Sequence, residues 1–367
     1  MSRPLKHIQR AGHVTSGPYA PPSPTRELAA TSADGSRLHI AVHGPEDAPA
    51  VVLAHGWTCS IAFWAPVVRA LAGDHRVIAY DQRGHGRSPA APPGGYSTEA
   101  LADDLEAVLG AVLAPGERAV LAGHSMGGMT LMAASGRTAV RECTAAVLLC
   151  STGSSRLLED ARVVPLRGER ARTRAHRLIL GSSAPLGPVT PLAKRILKYG
   201  TMGPGSAPDM VEACARIVHA CPRSVRAAWA HVLDGIDLDA AVRQLAAPTA
   251  VVVGTADRLT PPVHARRLAA ALPDCRGVTE LPGLGHMAPV EAPDAVAGEI
   301  RGLVRDHLAV PGGVPGPLAR PEDEPRTAPE HRPRTSPGSR PVEAAAEATA
   351  TAEATAKAEA TAKEETS

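Results

Sequence analysis

Between residues 25 and 310 the chain alternates short, continuous apolar runs with longer stretches of helical period. The runs Ala50–Ala54, Val77–Tyr80, Ala119–Ala122, Ala145–Cys150, Ala250–Val253 and Gly277–Leu281 are too short for helices. Unbroken apolar character over four to six residues predicts parallel strands buried on both faces. Upstream, Glu27–Thr31 and Arg37–His43 flank Asp34-Gly35, a turn pair that predicts a hairpin. Helices are predicted at Cys59–Leu71, Thr98–Leu113, Met126–Gly136, Val263–Leu272 and Pro293–Leu308. In the second of these, Leu101, Leu105, Val108, Leu109 and Val112 share one face, and Ser97 stands at the N-cap. Strands alternating with helices predict an α/β protein built on a doubly wound parallel sheet.

One interval breaks the alternation. Residues 156–235 read as helical and Arg-rich, with no strand. An insertion there sits over the carboxyl ends of the strands, where ligands bind, and is expected to form a lid or cap. The ends of the chain differ again. Residues 1–24 lack periodicity, and residues 311–367 pass from a Pro/Gly/Arg/Glu stretch into an imperfect Ala-Thr-Glu-Lys repeat. Segments so poor in large apolar residues cannot offset their ordering entropy, so both are expected to be disordered. The domain reading is therefore a core in two parts, 25–155 and 236–310, interrupted by the cap.

Composition narrows the function classes. Thirty-nine Lys and Arg against thirty-seven Asp and Glu leave a net charge of +2 over 367 residues. That balance argues against a nucleic-acid binder. No apolar run reaches the ~18 residues of a membrane span, and the N-terminus has no apolar core of a secretory signal, so a cytoplasmic protein is expected. The six cysteines are scattered, with no Cys/His cluster at metal-binding spacing, and are expected to be reduced thiols in a protein that binds no metal.

The chemistry concentrates after the apolar runs. Gly123-His124-Ser125-Met126-Gly127 follows one run and opens a helix. Small residues two before and two after a serine permit the sharp turn that projects a nucleophile above a sheet. A serine hydroxyl needs a base, and the base an orienting carboxylate. Asp257 follows the run Ala250–Val253, and His286 follows Gly277–Leu281, giving the order Ser, Asp, His. His55-Gly56-Trp57 follows Ala50–Ala54 where an oxyanion donor is needed. The main-chain N–H groups of Trp57 and Met126 are the candidates, and His55 is expected to bond within its loop. Trp57, Phe63 and Trp64, with Tyr199 and Trp229 of the cap, are the candidate substrate-binding side chains among only eight aromatic residues. The arginines of the cap are read as a solvated face.

The segments HGW, DQRGHGRS (Asp81–Ser88), GHSMGG, GTADRLTPP and GLGHMAP together resemble the α/β-hydrolase fold-1 family of serine hydrolases, over roughly residues 25–310. The resemblance implies an eight-stranded, mostly parallel sheet with a helical cap and no cofactor. It also implies a structural role for the loop holding Asp81, Arg83 and His85. Relatives with dehalogenase or epoxide hydrolase activity carry Asp where this chain has Ser125. The leading expectation is a hydrolase of small to medium carboxylic esters acting through an acyl-enzyme. The alternatives are a cofactor-free perhydrolase of the haloperoxidase type or a carbon–carbon bond hydrolase with the same triad, and, in another class, a non-catalytic ligand-binding protein.

Overall fold

The computed structural model describes residues 17–308. Eight strands form one sheet: β1 (Arg26–Thr31), β2 (Arg37–His43), β3 (Ala50–Ala54), β4 (Arg76–Tyr80), β5 (Ala119–His124), β6 (Thr144–Cys150), β7 (Thr249–Gly254) and β8 (Cys275–Leu281). Their spatial order is β1-β2-β4-β3-β5-β6-β7-β8. β2 runs antiparallel to both β1 and β4, and the remaining neighbours are parallel. The expected hairpin and mostly parallel sheet are both present.

The continuous apolar runs have a simple cause. Successive residues of a strand point to opposite faces, and both faces are covered. Val52 and Ala54 of β3 join Ile78, Leu121 and the helices Thr98–Val112, Met126–Ala133 and Pro262–Ala271 in one apolar cluster. Val51 and Leu53 join Val77, Val120 and the helices Ala65–Leu71 and Pro293–His307 in the other. The stripe from Leu101 to Val112 is buried as the periodicity predicts, and the Ser97 side chain accepts from the Ala100 N–H at 3.0 Å. β8 departs from expectation. The sequence predicts a buried strand, but β8 occupies the sheet edge and is only partly covered, which is why polar residues alternate along CRGVTEL.

A second correction concerns the N-terminus. Residues 17–24, expected to lie outside the fold, are held against it. The Arg69 guanidinium donates to the carbonyls of Pro18 and Ala20, and Ala20 is buried. The expected disordered tail 311–367 lies outside the described residues.

Between β6 and β7 the chain is helical, with segments at Leu157–Asp160, Glu169–Leu180, Pro191–Thr201, Pro208–Ala220, Arg223–Asp234 and Asp239–Val242. A bridge between Ser155 and Asp237, with Leu238 N–H donating to Ser154 O at 2.8 Å, draws the two ends of this insertion together. Among the described residues no helix is long and apolar enough to cross a membrane.

Candidate active site

Ser125 sits between β5 and the helix Met126–Ala133 with φ 52° and ψ −118°, a conformation that costs a non-glycine residue ~1–3 kcal/mol. The end of β6 and the residues just after it hold it there. Its N–H donates to Cys150 O at 3.0 Å, and its carbonyl accepts from Thr152 Oγ1 at 2.8 Å. The flanking glycines are sterically required. A Cβ on Gly127 would overlap the carbonyl oxygen of Ala54, and one on Gly123 would press into the backbone of Gly127. The G-x-S-x-G spacing therefore answers to close packing of turn, strand and helix.

Asp257 and His286 meet as the chain order predicts. Asp257 Oδ1 accepts the N–H groups of Leu259 and Thr260 at 2.8 and 2.9 Å. Its Oδ2 accepts Thr260 Oγ1 at 2.9 Å and faces His286 Nδ1 at 2.8 Å. A carboxylate only accepts, so the ring proton belongs on Nδ1 and Nε2 carries the free lone pair. Both residues are nearly enclosed, Asp257 at 3% and His286 at 4% exposure. The main chain of His286 is fixed from two sides. Its N–H donates to Thr201 O at 2.8 Å, and its carbonyl accepts from His124 Nε2, also at 2.8 Å. No hydrogen bond joins Ser125 Oγ to His286 among the described residues, and catalytic contacts of this kind commonly tighten only with substrate bound.

The loop after β3 closes against the serine. A Cβ built on Gly56 would stand 3.1 Å from Ser125 Cβ and 2.7 Å from His124 Nδ1. His55 bonds within its surroundings as expected: Nδ1 meets Gly56 O at 2.8 Å, and Nε2 accepts the Gln82 N–H at 3.0 Å. The Trp57 N–H has no acceptor among the described residues. Met126 opens its helix, so its N–H lacks an intrahelical partner. His85 steadies the loop by accepting the Thr58 N–H at 3.2 Å. Burial and the neighbouring His55 push the His85 pKa down to about 3, so it stays a neutral acceptor.

The loop Asp81–Ser88 braces this end of the sheet. Asp81 accepts from Ile61 N–H at 2.8 Å and Arg87 N–H at 2.9 Å. Arg83, 1% exposed, forms a two-pronged pair with Asp104 at 2.7 and 2.6 Å.

The five candidate substrate contacts divide. Trp57 is partly exposed in the loop after β3, and its Nε1 donates to Arg226 O at 3.1 Å. Phe63 lies with its ring 4.5 Å from that of His124, enclosed beneath the site. Trp64 and Trp229 are fully buried, with no surface left for a substrate; Trp229 is consumed by Arg83 O and the edge of Tyr96. Tyr199 faces solvent, with Arg258 stacked 4.4 Å over its ring. Phe63, at 1% exposure, is as enclosed as Trp64 and Trp229, so local packing leaves these three no open surface for a substrate and corrects the expectation for them.

Three further residues contribute to the site. Thr260 had a signal, because Asp followed by Thr three residues on is a self-bonding turn pattern. His124 and Glu291 had none. The Glu291 carboxylate accepts from Gly203 N–H at 2.7 Å, Ser206 Oγ at 2.6 Å, Gly285 N–H at 3.1 Å and Met287 N–H at 3.2 Å. It joins the backbone on both sides of His286 to the insertion. A cleft of about 410 Å³, lined by Arg118, Ser135, Thr138 and Thr144 among others, opens at the opposite, amino ends of the strands and shares none of these residues. Among the described residues no group of three or more His, Cys, Asp or Glu side chains is placed to hold a metal ion.

Comparison with known proteins agrees with this architecture. The model of the alpha/beta hydrolase family matches residues 51–299. A protein of Variovorax paradoxus named for carbamate hydrolysis, RutD, is 34% identical over 257 residues, covering 68% of this chain and 89% of that protein. An esterase from Thermogutta terrifontis superposes with a TM-score of 0.62 at 25% identity, over 77% of this chain and 98% of its own. The enol-lactonase of Burkholderia xenovorans superposes with a TM-score of 0.60 at 25% identity, over 76% and 100%. A three-layer α/β fold with a strained serine above its central strand defines a hydrolase class, and the chain belongs to the alpha/beta hydrolase family.

Proposed function

We propose that this chain is a serine hydrolase cleaving a small to medium carboxylic ester through an acyl-enzyme, with the helical insertion as its cap. What carries the reading is the 2.8 Å Asp257–His286 pair in the loops that adjoin a strained Ser125. In this mechanism His286 Nε2 takes the proton of Ser125 as Oγ attacks the carbonyl carbon. The N–H groups of Trp57 and Met126 receive the negative charge that develops on the carbonyl oxygen. Asp257 holds the imidazole in the required tautomer and stabilises its cation. His286 returns the proton to the leaving alcohol, then activates the water that releases the acid. The protein works within the cell cytoplasm on a small molecule.

The carbamate-hydrolase relative favours a second reading with the same residues, in which the bond broken joins the acyl carbon to nitrogen. Fluorophosphonate labelling of wild type and Ser125→Ala tests the shared core, with label expected on wild type alone. A panel of p-nitrophenyl esters beside matched carbamates separates the two readings. Turnover of esters well above carbamates is expected, and the reverse order selects the second.

A further inference from the structure

All the large apolar side chains that stand exposed among the described residues fall between Leu166 and Tyr199, in the insertion. The helix Pro191–Thr201 is the clearest case. Leu192, Arg195, Ile196 and Tyr199 are spaced i, i+3, i+4 and i+7, the stripe that a surface helix normally turns to the core. Here it faces outward, with Leu192 at 66% and Ile196 at 63% exposure. The flanking lysines are tied into the protein instead, Lys194 to Glu212 at 2.9 Å and Lys198 to Ser206 O at 2.8 Å. The preceding helix, Glu169–Leu180, exposes Leu178 at 76%.

Positive charge accompanies this apolar surface. Residues 156–199 contain ten Lys and Arg against three Asp and Glu, in a chain whose total is only +2. Arg167, Arg170, Arg174 and Arg195 are exposed and form no ion pair among the described residues. A second copy is a poor occupant, because it would oppose two basic faces. A nucleic acid would answer the arginines and leave the leucines wet. An anionic bilayer answers both, taking apolar side chains at the headgroup boundary and guanidinium groups at its phosphates.

We propose that the outer face of the insertion, built on Leu178, Leu192 and Ile196 with Arg170, Arg174 and Arg195, docks the protein on the surface of an anionic lipid bilayer. The docked helix ends at Thr201, whose carbonyl receives the His286 N–H. Lipid contact therefore lies one helix away from the candidate base. Docking stands on surface chemistry alone and does not depend on the ester reading.

The experiment is flotation of the full chain with vesicles of phosphatidylcholine, or of phosphatidylcholine with ~30% phosphatidylglycerol, at low and high salt. Binding is expected to the anionic vesicles at low salt and to fall as salt screens the charges. Leu192→Ser/Ile196→Ser should weaken it about ten-fold or more. Replacing Arg170, Arg174 and Arg195 by Gln should cost about five-fold per residue. Thermal melts and turnover of a water-soluble short ester should match wild type in every variant, showing that the fold persists. Absence of flotation at low salt overturns the proposal, as does binding that neither set of variants weakens. A dimer in light scattering that Leu192→Ser/Ile196→Ser dissolves, without vesicle binding, assigns the face to a second copy and overturns it equally.

Discussion

Around Ser125 and His286 the polar groups are buried and nearly all engaged: Asp257 alone accepts four hydrogen bonds, and Glu291 draws in donors from two separate segments. Between Leu166 and Tyr199 the arrangement is reversed, with leucines in water and lysines folded inward. Buried polar groups are held in place by the cost of leaving them unpaired, so the strand ends are rigid and intolerant of change. The outer insertion makes few demands on folding, and its surface is free to serve a partner.

This contrast can be broken at several points, the largest effect first. Asp257→Asn should lower kcat by about 10⁴, the effect of losing tautomer control in a serine protease, with little change in KM. Steady-state kinetics on a p-nitrophenyl ester measure it, and an unchanged kcat would remove Asp257 from the mechanism. Asp104→Ala should cost about 3–5 kcal/mol in urea unfolding, because Arg83 would remain buried without its two-pronged partner. Glu291→Gln should cost about 1–3 kcal/mol, since an amide nitrogen cannot accept the donors gathered on that carboxylate. Because those donors flank His286, kcat should also fall while binding of a substrate analogue is retained.

A fourth prediction concerns pH. Burial holds His124 well below the ordinary histidine value, with His286 adding to the effect, and His85 is pushed down to about 3. The folded state therefore declines protons that the unfolded chain accepts below about pH 6.5. Stability should be complete above that pH and decline as pH falls toward 3, each of these histidines contributing up to about 1.4 kcal/mol per pH unit. Urea midpoints at pH 7 and pH 5 test the direction; a flat profile would mean that these rings take up protons in the fold. The smallest effect belongs to the insertion. Leu178→Ser or Leu192→Ser should change stability by no more than about 0.5 kcal/mol, whereas Leu121→Ser in the sheet should cost several times as much.

Much of the fold was legible because its signals are local. An apolar run such as AVVLA specifies a strand covered on both faces, and Ser97 specifies its helix start without reference to anything distant. The same holds for the serine turn, where Gly123 and Gly127 are demanded by steric contacts that recur wherever a strand bends so sharply into a helix. Thr260 was within reach for the same reason. Glu291 and His124 were not: their partners lie on segments remote in sequence, Gly203 for one and His286 for the other. The edge position of β8 has no local signal, because it depends on which strand ends the sheet.

The amino-acid sequence alone determined the order of strands and helices, the chain order Ser125, Asp257, His286, and the residues sharing each helical stripe. Tertiary structure alone decided which way those stripes face. A period of 3.6 places Leu192, Ile196 and Tyr199 on one side of a helix, but it carries no information about whether that side meets protein or water. That choice is made by the surroundings: Lys194 and Lys198 find Glu212 and Ser206 on the inner side, and the apolar stripe is left outside.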